Sequence, residues 1–272
     1  MNFIEKLARA SRKNRSLLCV GLDTDPALLP AGTGIFEFNR AIIDATADLV
    51  CAYKPNIAFY EAQGNPGLEA LKRTREYIGD EIPVIIDAKR GDIGNTAGAY
   101  ARSLFDYYNF DATTASPYLG FDSLEPFINY RERGVFILCR TSNPGAMDFQ
   151  SLSCKVGNGH KMLFEIVAEK VNGWNKHGNL GLVVGATYPE ELKLIRERYP
   201  EMPLLLPGVG AQGGELSLAV KYGVDAGRQR TIINSSRQIL YASKGKDFAA
   251  AARKAALEIR DRINDFLTGS AS

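Results

Sequence analysis

Ile85-Ile86-Asp87-Ala88-Lys89-Arg90-Gly91-Asp92-Ile93-Gly94-Asn95-Thr96 is the stretch on which the reading of this chain turns. An apolar run over 84–86 leads straight into alternating charge. Side chains along a strand alternate faces, so Asp87 and Lys89 are expected to point the same way. Asp92 and Thr96 follow where strand gives way to helix. A strand ending in an acid and a base on one face places charge at the rim of a sheet.

The same pattern of apolar run, turn and amphipathic helix recurs on both sides of this stretch. Upstream, runs over 16–22 and 50–53 end at Asp23 and Lys54, with helices expected over 36–49 and 67–78. Downstream, the spacing predicts helices over 96–108, 123–133, 161–175, 189–199, 215–222 and 247–266. The intervening runs are 112–115, 134–139, 180–184, 203–206 and 231–234. Eight strand–helix units in 272 residues predict an α/β fold of the (β/α)8 TIM-barrel type. One domain is expected over 1–272, with a short N-terminal helix and a polar C-terminal tail. The competing open, doubly wound sheet usually carries GxGxxG after its first strand. Here that position holds Gly21-Leu22-Asp23-Thr24-Asp25-Pro26. The polar segment 143–159 is long for a connection in a compact domain and is a candidate lid.

Composition narrows the function classes. A net charge of +2 supplies no electrostatic footprint for nucleic acid or an anionic membrane. No apolar run approaches the ~20 residues that span a bilayer. Cys19, Cys51 and Cys139 lie in apolar runs and no two cysteines form CxxC, which suits a reducing cytoplasm. With only His160 and His177, and no close Cys/His pairs, a zinc site is not expected.

In a (β/α)8 barrel the chemistry lies at the C-terminal ends of the strands. The residues expected there include Asp23, Lys54, Asp87, Lys89, Ser142, Pro207 and Arg237. Asp87, Lys89 and Asp92 read either as a solvated salt-bridge cluster or, beside Lys54, as a nearly neutral buried array around a proton donor. The glycine-rich loop Pro207-Gly208-Val209-Gly210-Ala211-Gln212-Gly213-Gly214 reads as a phosphate cradle of backbone N–H groups, with Arg237 adding charge. Arg228 and Arg230 are alternatives for that role, with Arg237 favoured because it ends a strand. Asp23 reads equally as a helix cap or a ligand-binding residue. Ser142, beside Thr141, lacks a histidine or second base and is not expected to be a nucleophile.

Asp87-Ala88-Lys89-Arg90-Gly91-Asp92-Ile93-Gly94-Asn95-Thr96 resembles the signature of the orotidine 5′-phosphate decarboxylase family. Val20-Gly21-Leu22-Asp23, Tyr53-Lys54-Pro55-Asn56, the loop 207–214 and Ile233-Asn234-Ser235-Ser236-Arg237 extend the resemblance from the first strand to the eighth. The length and the Asn-Ser-Ser-Arg form resemble the longer subgroup typical of many bacteria. The resemblance implies cofactor-free, metal-free decarboxylation of orotidine 5′-monophosphate to uridine 5′-monophosphate. It implies Lys89 as the proton donor to C6, Asp87 beside the departing carboxylate and Lys54 holding the charged array. Asp23 would bind the ribose, Ser142 the pyrimidine edge, and Pro207, Gln212 and Arg237 the phosphate. Asp92 and Thr96 would serve the partner's site in a homodimer, and Ile93 would bind the substrate. A metal-dependent sugar-phosphate aldolase or epimerase shares the DxKxxD element and is the rival reading.

Overall fold

The computed structural model describes residues 1–208 and 213–269. Among them, α1 (Phe3–Asn14) precedes β1 (Leu18–Gly21), followed by α2 (Ile35–Thr46), β2 (Ala52–Lys54), α3 (Ile57–Glu61) and α4 (Gly64–Ile78). Then come β3 (Ile85–Arg90), α5 (Gly94–Arg102), β4 (Ala112–Ala115), α6 (Phe121–Ile128) and β5 (Gly134–Arg140). A short antiparallel hairpin, β6 (Ser153–Val156) and β7 (Gly159–Met162), leads into α7 (Leu163–Trp174). The chain closes with β8 (Leu180–Val184), α8 (Pro189–Arg198), β9 (Leu204–Leu206), α9 (Gly213–Gly223), β10 (Thr231–Ser235), α10 (Arg237–Leu240) and α11 (Phe248–Thr268).

Eight of these strands form one parallel sheet in the order β2-β1-β10-β9-β8-β5-β4-β3. Parallel bridges Tyr53–Val84 and Asn56–Asp87 join its two edges and close the expected (β/α)8 barrel. Strand alternation divides the core into two layers. Leu18, Val20, Ile86 and Ile137 face the surrounding helices, while Cys19, Ile85, Phe136, Val183, Leu205 and Ile232 fill the barrel.

The amphipathic α1 closes the N-terminal end of the barrel. Phe3 meets Phe136 edge-on, with ring centroids 5.6 Å apart. Gly134 makes room for it, since a Cβ there would lie 2.5 Å from the Phe3 ring. Lys6 is buried beside Asp111, its Nζ 2.7 Å from Oδ1. With that end plugged, the mouth at the C-terminal ends of the strands is the open one.

Local structure departs from the expected pattern in three places. β3 runs on to Arg90, well past the apolar run over 84–86. α3 follows Pro55 and is capped by Asn56, whose Oδ1 accepts from the Ala58 N–H at 3.1 Å; its five residues are too few for a periodic signal. The segment 143–159 is built from a 3-10 turn (Pro144–Asp148), all of β6 and the turn that ends at the first residue of β7. The hairpin strands are largely exposed on both faces, so they carry no alternating apolar pattern.

Candidate active site

Three strand ends bring the charged residues together. In-register pairing sets Gly21 of β1 against Lys54 of β2, and a bridge beyond β2 sets Asn56 against Asp87 of β3. Lys54, with a side chain 4% exposed, lies between two carboxylates: its Nζ is 3.2 Å from Asp87 Oδ2 and 3.7 Å from Asp23 Oδ1. Lys89 Nζ donates to the other Asp87 oxygen at 2.6 Å. The sequence order Asp23, Lys54, Asp87, Lys89 is therefore also a spatial chain of alternating charge. The solvated-cluster reading fails for Asp87, which is withdrawn from water together with Lys54; Lys89, 48% exposed, faces the mouth.

Lys89 reaches Asp87 by an unusual backbone. Its φ of +46° is left-handed, a region lysine rarely occupies, and it lies where the β3–β4 register shifts between Ile86 and Arg90. Thr114 of β4 supports it: the Thr114 hydroxyl accepts from the Lys89 backbone N–H at 2.9 Å and donates to Asp87 Oδ1 at 2.8 Å. Strand alternation alone does not account for the Asp87–Lys89 contact; the bulge and Thr114 are also required.

The electrostatics fix the protonation states of the buried pair. Burial pushes the Asp87 carboxyl up, but Lys54, Lys89 and the Thr114 hydroxyl outweigh it and hold the group at about 2. For Lys54, burial favours the neutral amine; Asp87 and then Asp23 outweigh it, and its pKa lies above the ordinary lysine value. At neutral pH the array is an ammonium locked between carboxylates. Beneath it in the barrel, burial and the neighbouring Cys51 keep the Cys19 thiol protonated.

The two readings of Asp23 are separated by its neighbours. Asp25, not Asp23, caps the short turn after β1, its Oδ1 accepting from the Ala27 N–H at 3.0 Å. Asp23 instead faces Lys54. A buried polar network behind it holds the end of β1: Tyr60 Oη donates to the Leu22 carbonyl at 2.8 Å, and Asn39 Nδ2 donates to Tyr60 Oη and Thr74 Oγ1, each at 3.0 Å. Asn39 and Thr74 are buried polar positions on helices, which no sequence motif singles out.

The array forms the floor of a two-lobed mouth. The larger lobe, about 640 Å³, runs from Asp23, Lys54 and Asp87 to Pro207, Ser236 and Arg237. Gly21 permits this closeness, because a Cβ there would lie 1.9 Å from Ser236 Oγ. Gly208 turns the chain with φ +67°. The smaller lobe, about 220 Å³, shares Lys54, Asp87 and Pro207 and adds Lys89, Thr114 and Ser142. Thr141 Oγ1 is engaged with Asn143 and Gln150, which leaves Ser142 as the uncommitted hydroxyl of the pair.

Arg237 is exposed on the larger lobe. Arg228 and Arg230 are elsewhere: Arg228 donates to the Leu267 carbonyl, and Arg230, just before β10 begins, donates to that of Glu201. Both lie at the opposite end of that strand, so neither competes for the mouth. Gln212 lies outside the described residues. Asp92, Ile93 and Thr96 are not brought to this mouth. Asp92 Oδ1 accepts from the Ile93 N–H at 2.8 Å, and Ile93 is 57% exposed. Asn234 and Ser236 of the Asn-Ser-Ser-Arg motif also line the site, though the motif alone assigns them no role of their own, and Thr114 belongs to it without having been singled out from the sequence. For Thr114 the available signal was a pair of threonines, Thr113 and Thr114, on a short buried strand.

Fold and mouth together define a (β/α)8-barrel enzyme whose strand ends carry a preorganised array of alternating charge. Residues 16–255 match the model of the Orotidine 5′-phosphate decarboxylase / HUMPS family, and the chain belongs to that family. An orotidine 5′-phosphate decarboxylase of Dehalococcoides mccartyi (strain CBDB1) is 53% identical over 266 residues, covering 98% of each chain. One of Cupriavidus taiwanensis is 52% identical over 278 residues, covering 99% of this chain and 100% of the relative. The solved structure of Leishmania donovani OMP decarboxylase superposes with a TM-score of 0.82 at 41% identity, covering 97% of this chain and 99% of the other.

Proposed function

We propose that this chain decarboxylates orotidine 5′-monophosphate to uridine 5′-monophosphate in pyrimidine synthesis, without a cofactor. The observation that carries the reading is the Asp23–Lys54–Asp87–Lys89 array at the barrel mouth. The bond from C6 to the carboxyl carbon breaks, carbon dioxide leaves, and the electron pair stays on C6. Lys89 stabilises that charge and gives C6 a proton, then regains one from solvent. Asp87, ionised at neutral pH, faces the substrate carboxylate until it departs. Lys54 keeps Asp87 ionised and in place while reaching a ribose hydroxyl, and Asp23 takes the ribose.

Ser142 contacts the pyrimidine edge in the smaller lobe. Pro207 and Arg237 of the larger one, together with Gln212, hold the phosphate. Phosphate binding energy, remote from the reacting carbon, is available for closing the hairpin segment over the ring.

The active form in this reading is a homodimer. In it, Asp92, Ile93 and Thr96, which do not line their own mouth, would serve the partner's site. The chain is one domain over 1–272, including the helix that plugs the barrel and a polar tail. It matches bacterial relatives across nearly their whole length, which supports membership of the longer bacterial-type subgroup. Buried thiols, and the lack among the described residues of a helix long and apolar enough to cross a membrane, support a cytoplasmic location. Neither nucleic acid nor membrane enters the reading.

The test is the ultraviolet change of orotidine 5′-monophosphate in the presence of EDTA. Full turnover is expected; loss with EDTA and recovery with magnesium would favour a metal-dependent sugar-phosphate enzyme. Mixed Lys89→Ala and Asp92→Ala subunits, each inactive alone, are expected to regain activity. No recovery after demonstrated subunit exchange would remove the shared site.

A further inference from the structure

The largest fully buried side chain among the described residues is charged, and the chemistry above leaves it without a role. It is Arg140, the last residue of β5. A guanidinium withdrawn from water needs partners to be tolerated. Its Nε donates to Glu191 Oε2, its Nη1 reaches the Thr141 carbonyl at 3.4 Å, and its Cζ lies 4.0 Å from the centroid of the Tyr188 ring. Tyr188 and Glu191 stand at the start of α8, the helix after the neighbouring strand β8.

The backbone is tied across the same two strands. Leu138 pairs with Val183 and Arg140 with Val184, so two residues of β5 advance against one of β8. Such a bulge re-aims the side chain that follows it. The Gly185 N–H donates to the Arg140 carbonyl at 2.6 Å. Gly185 in turn lies close against Ser142: a Cβ on it would lie 3.0 Å from both the Cβ and the N of Ser142. A continuous path therefore runs from α8 through Arg140 and Gly185 to the one hydroxyl that is free to face the smaller lobe.

We infer that Arg140 is a positioning residue: clamped by Tyr188 and Glu191, it sets the height of Ser142 and thereby the preference of the site for the pyrimidine over the rest of the nucleotide. The inference rests on the reading of Ser142 as the base contact. The clamp stacks a planar group on one side and draws lateral N–H donation on the other, a combination that lysine cannot make.

The experiment compares dissociation constants of uridine 5′-monophosphate and ribose 5-phosphate, by titration calorimetry on the full chain. Ser142→Ala is expected to weaken the nucleotide about 10-fold and leave the sugar phosphate unchanged. Arg140→Met is expected to do the same, and the double variant to be no weaker than Ser142→Ala within about 3-fold, since both changes remove one contact. Equal weakening of both ligands by Arg140→Met, or multiplying losses in the double variant, overturns the inference. If Ser142→Ala is itself without selective effect, the base-contact reading falls and takes the inference with it. If Ser142→Ala is selective and Arg140→Met is not, the inference falls alone. Should Arg140→Met fail to fold, Glu191→Gln and Tyr188→Leu, which loosen the clamp at partly exposed positions, carry the same expectations.

Discussion

Replacing Lys54 by methionine removes the central cation and leaves a chain of similar length. Two carboxylates lose it, Asp87 at 3.2 Å and Asp23 at 3.7 Å. At an effective dielectric of about 20, each attraction is worth about 5 kcal/mol gross. Desolvation of the buried ammonium offsets much of this, and breaking such a pair typically costs about 3–5 kcal/mol, because the remaining charge is stranded. Asp87 retains Lys89 and Thr114, so the lower end applies. For a chain of this size, about 3 kcal/mol corresponds to a fall in Tm of about 6–10 °C.

The pH dependence distinguishes this account from simple loss of packing. In the wild type, Asp87 is held at about 2, below its ordinary 3.8. A carboxyl depressed on folding adds stability above its unfolded pKa, and that stability is lost as pH falls through the folded value. The contribution is about 2 kcal/mol at neutral pH, of which about 1 kcal/mol is gone by pH 3. Without Lys54, burial is opposed only by Lys89 and Thr114, so the Asp87 pKa rises and this acid-labile contribution shrinks or reverses.

The stability gap between wild type and Lys54→Met, measured by urea unfolding, is therefore expected to narrow by about 1 kcal/mol or more between pH 7 and pH 3. Adding Asp87→Asn to Lys54→Met is expected to restore part of the lost stability at pH 7, since it removes a stranded charge. A gap that stays constant or widens on acidification, or a double variant less stable than Lys54→Met, would refute the reasoning.

Three further outcomes follow from the same geometry. Lys89→Ala is expected to lower kcat by about 10⁴-fold or more while leaving urea stability within about 1 kcal/mol, because its side chain is half exposed. Turnover near the wild-type rate would remove Lys89 as the proton donor. Thr114→Val takes a donor from Asp87 and an acceptor from the Lys89 backbone; about a 10-fold loss of kcat and about 1–2 kcal/mol of stability are expected from steady-state kinetics and denaturation. Arg237→Ala is expected to raise KM about 10–100-fold with Tm nearly unchanged, as an exposed charge-assisted contact to phosphate would require.

Much of the site was legible because strand ends mark themselves chemically. Asp23, Lys54 and Asp87 are charges that interrupt apolar runs, and a barrel brings every such interruption to one rim. The residues that hold the charges in place were not legible. Thr114, Asn39, Tyr60 and Thr74 act through contacts 15 to 38 positions apart in the chain, with nothing local to distinguish them from ordinary core or helix residues. Among Arg228, Arg230 and Arg237 the sequence favours Arg237 because it follows the eighth strand, and the three residues do lie at the two ends of β10 accordingly.

The sequence by itself determined the (β/α)8 barrel and the charges Asp23, Lys54, Asp87 and Lys89, because periodicity and the chemistry of strand ends are local properties. Tertiary structure decided that these four charges form one alternating array, since the interstrand register sets their distances. It also decided the left-handed backbone of Lys89 and its support by Thr114, the assignment of capping to Asp25 instead of Asp23, and the burial of Arg140 beneath the wall that carries Ser142. Each depends on which residue of one strand or loop meets which residue of another, and those contacts exist only once the barrel has closed.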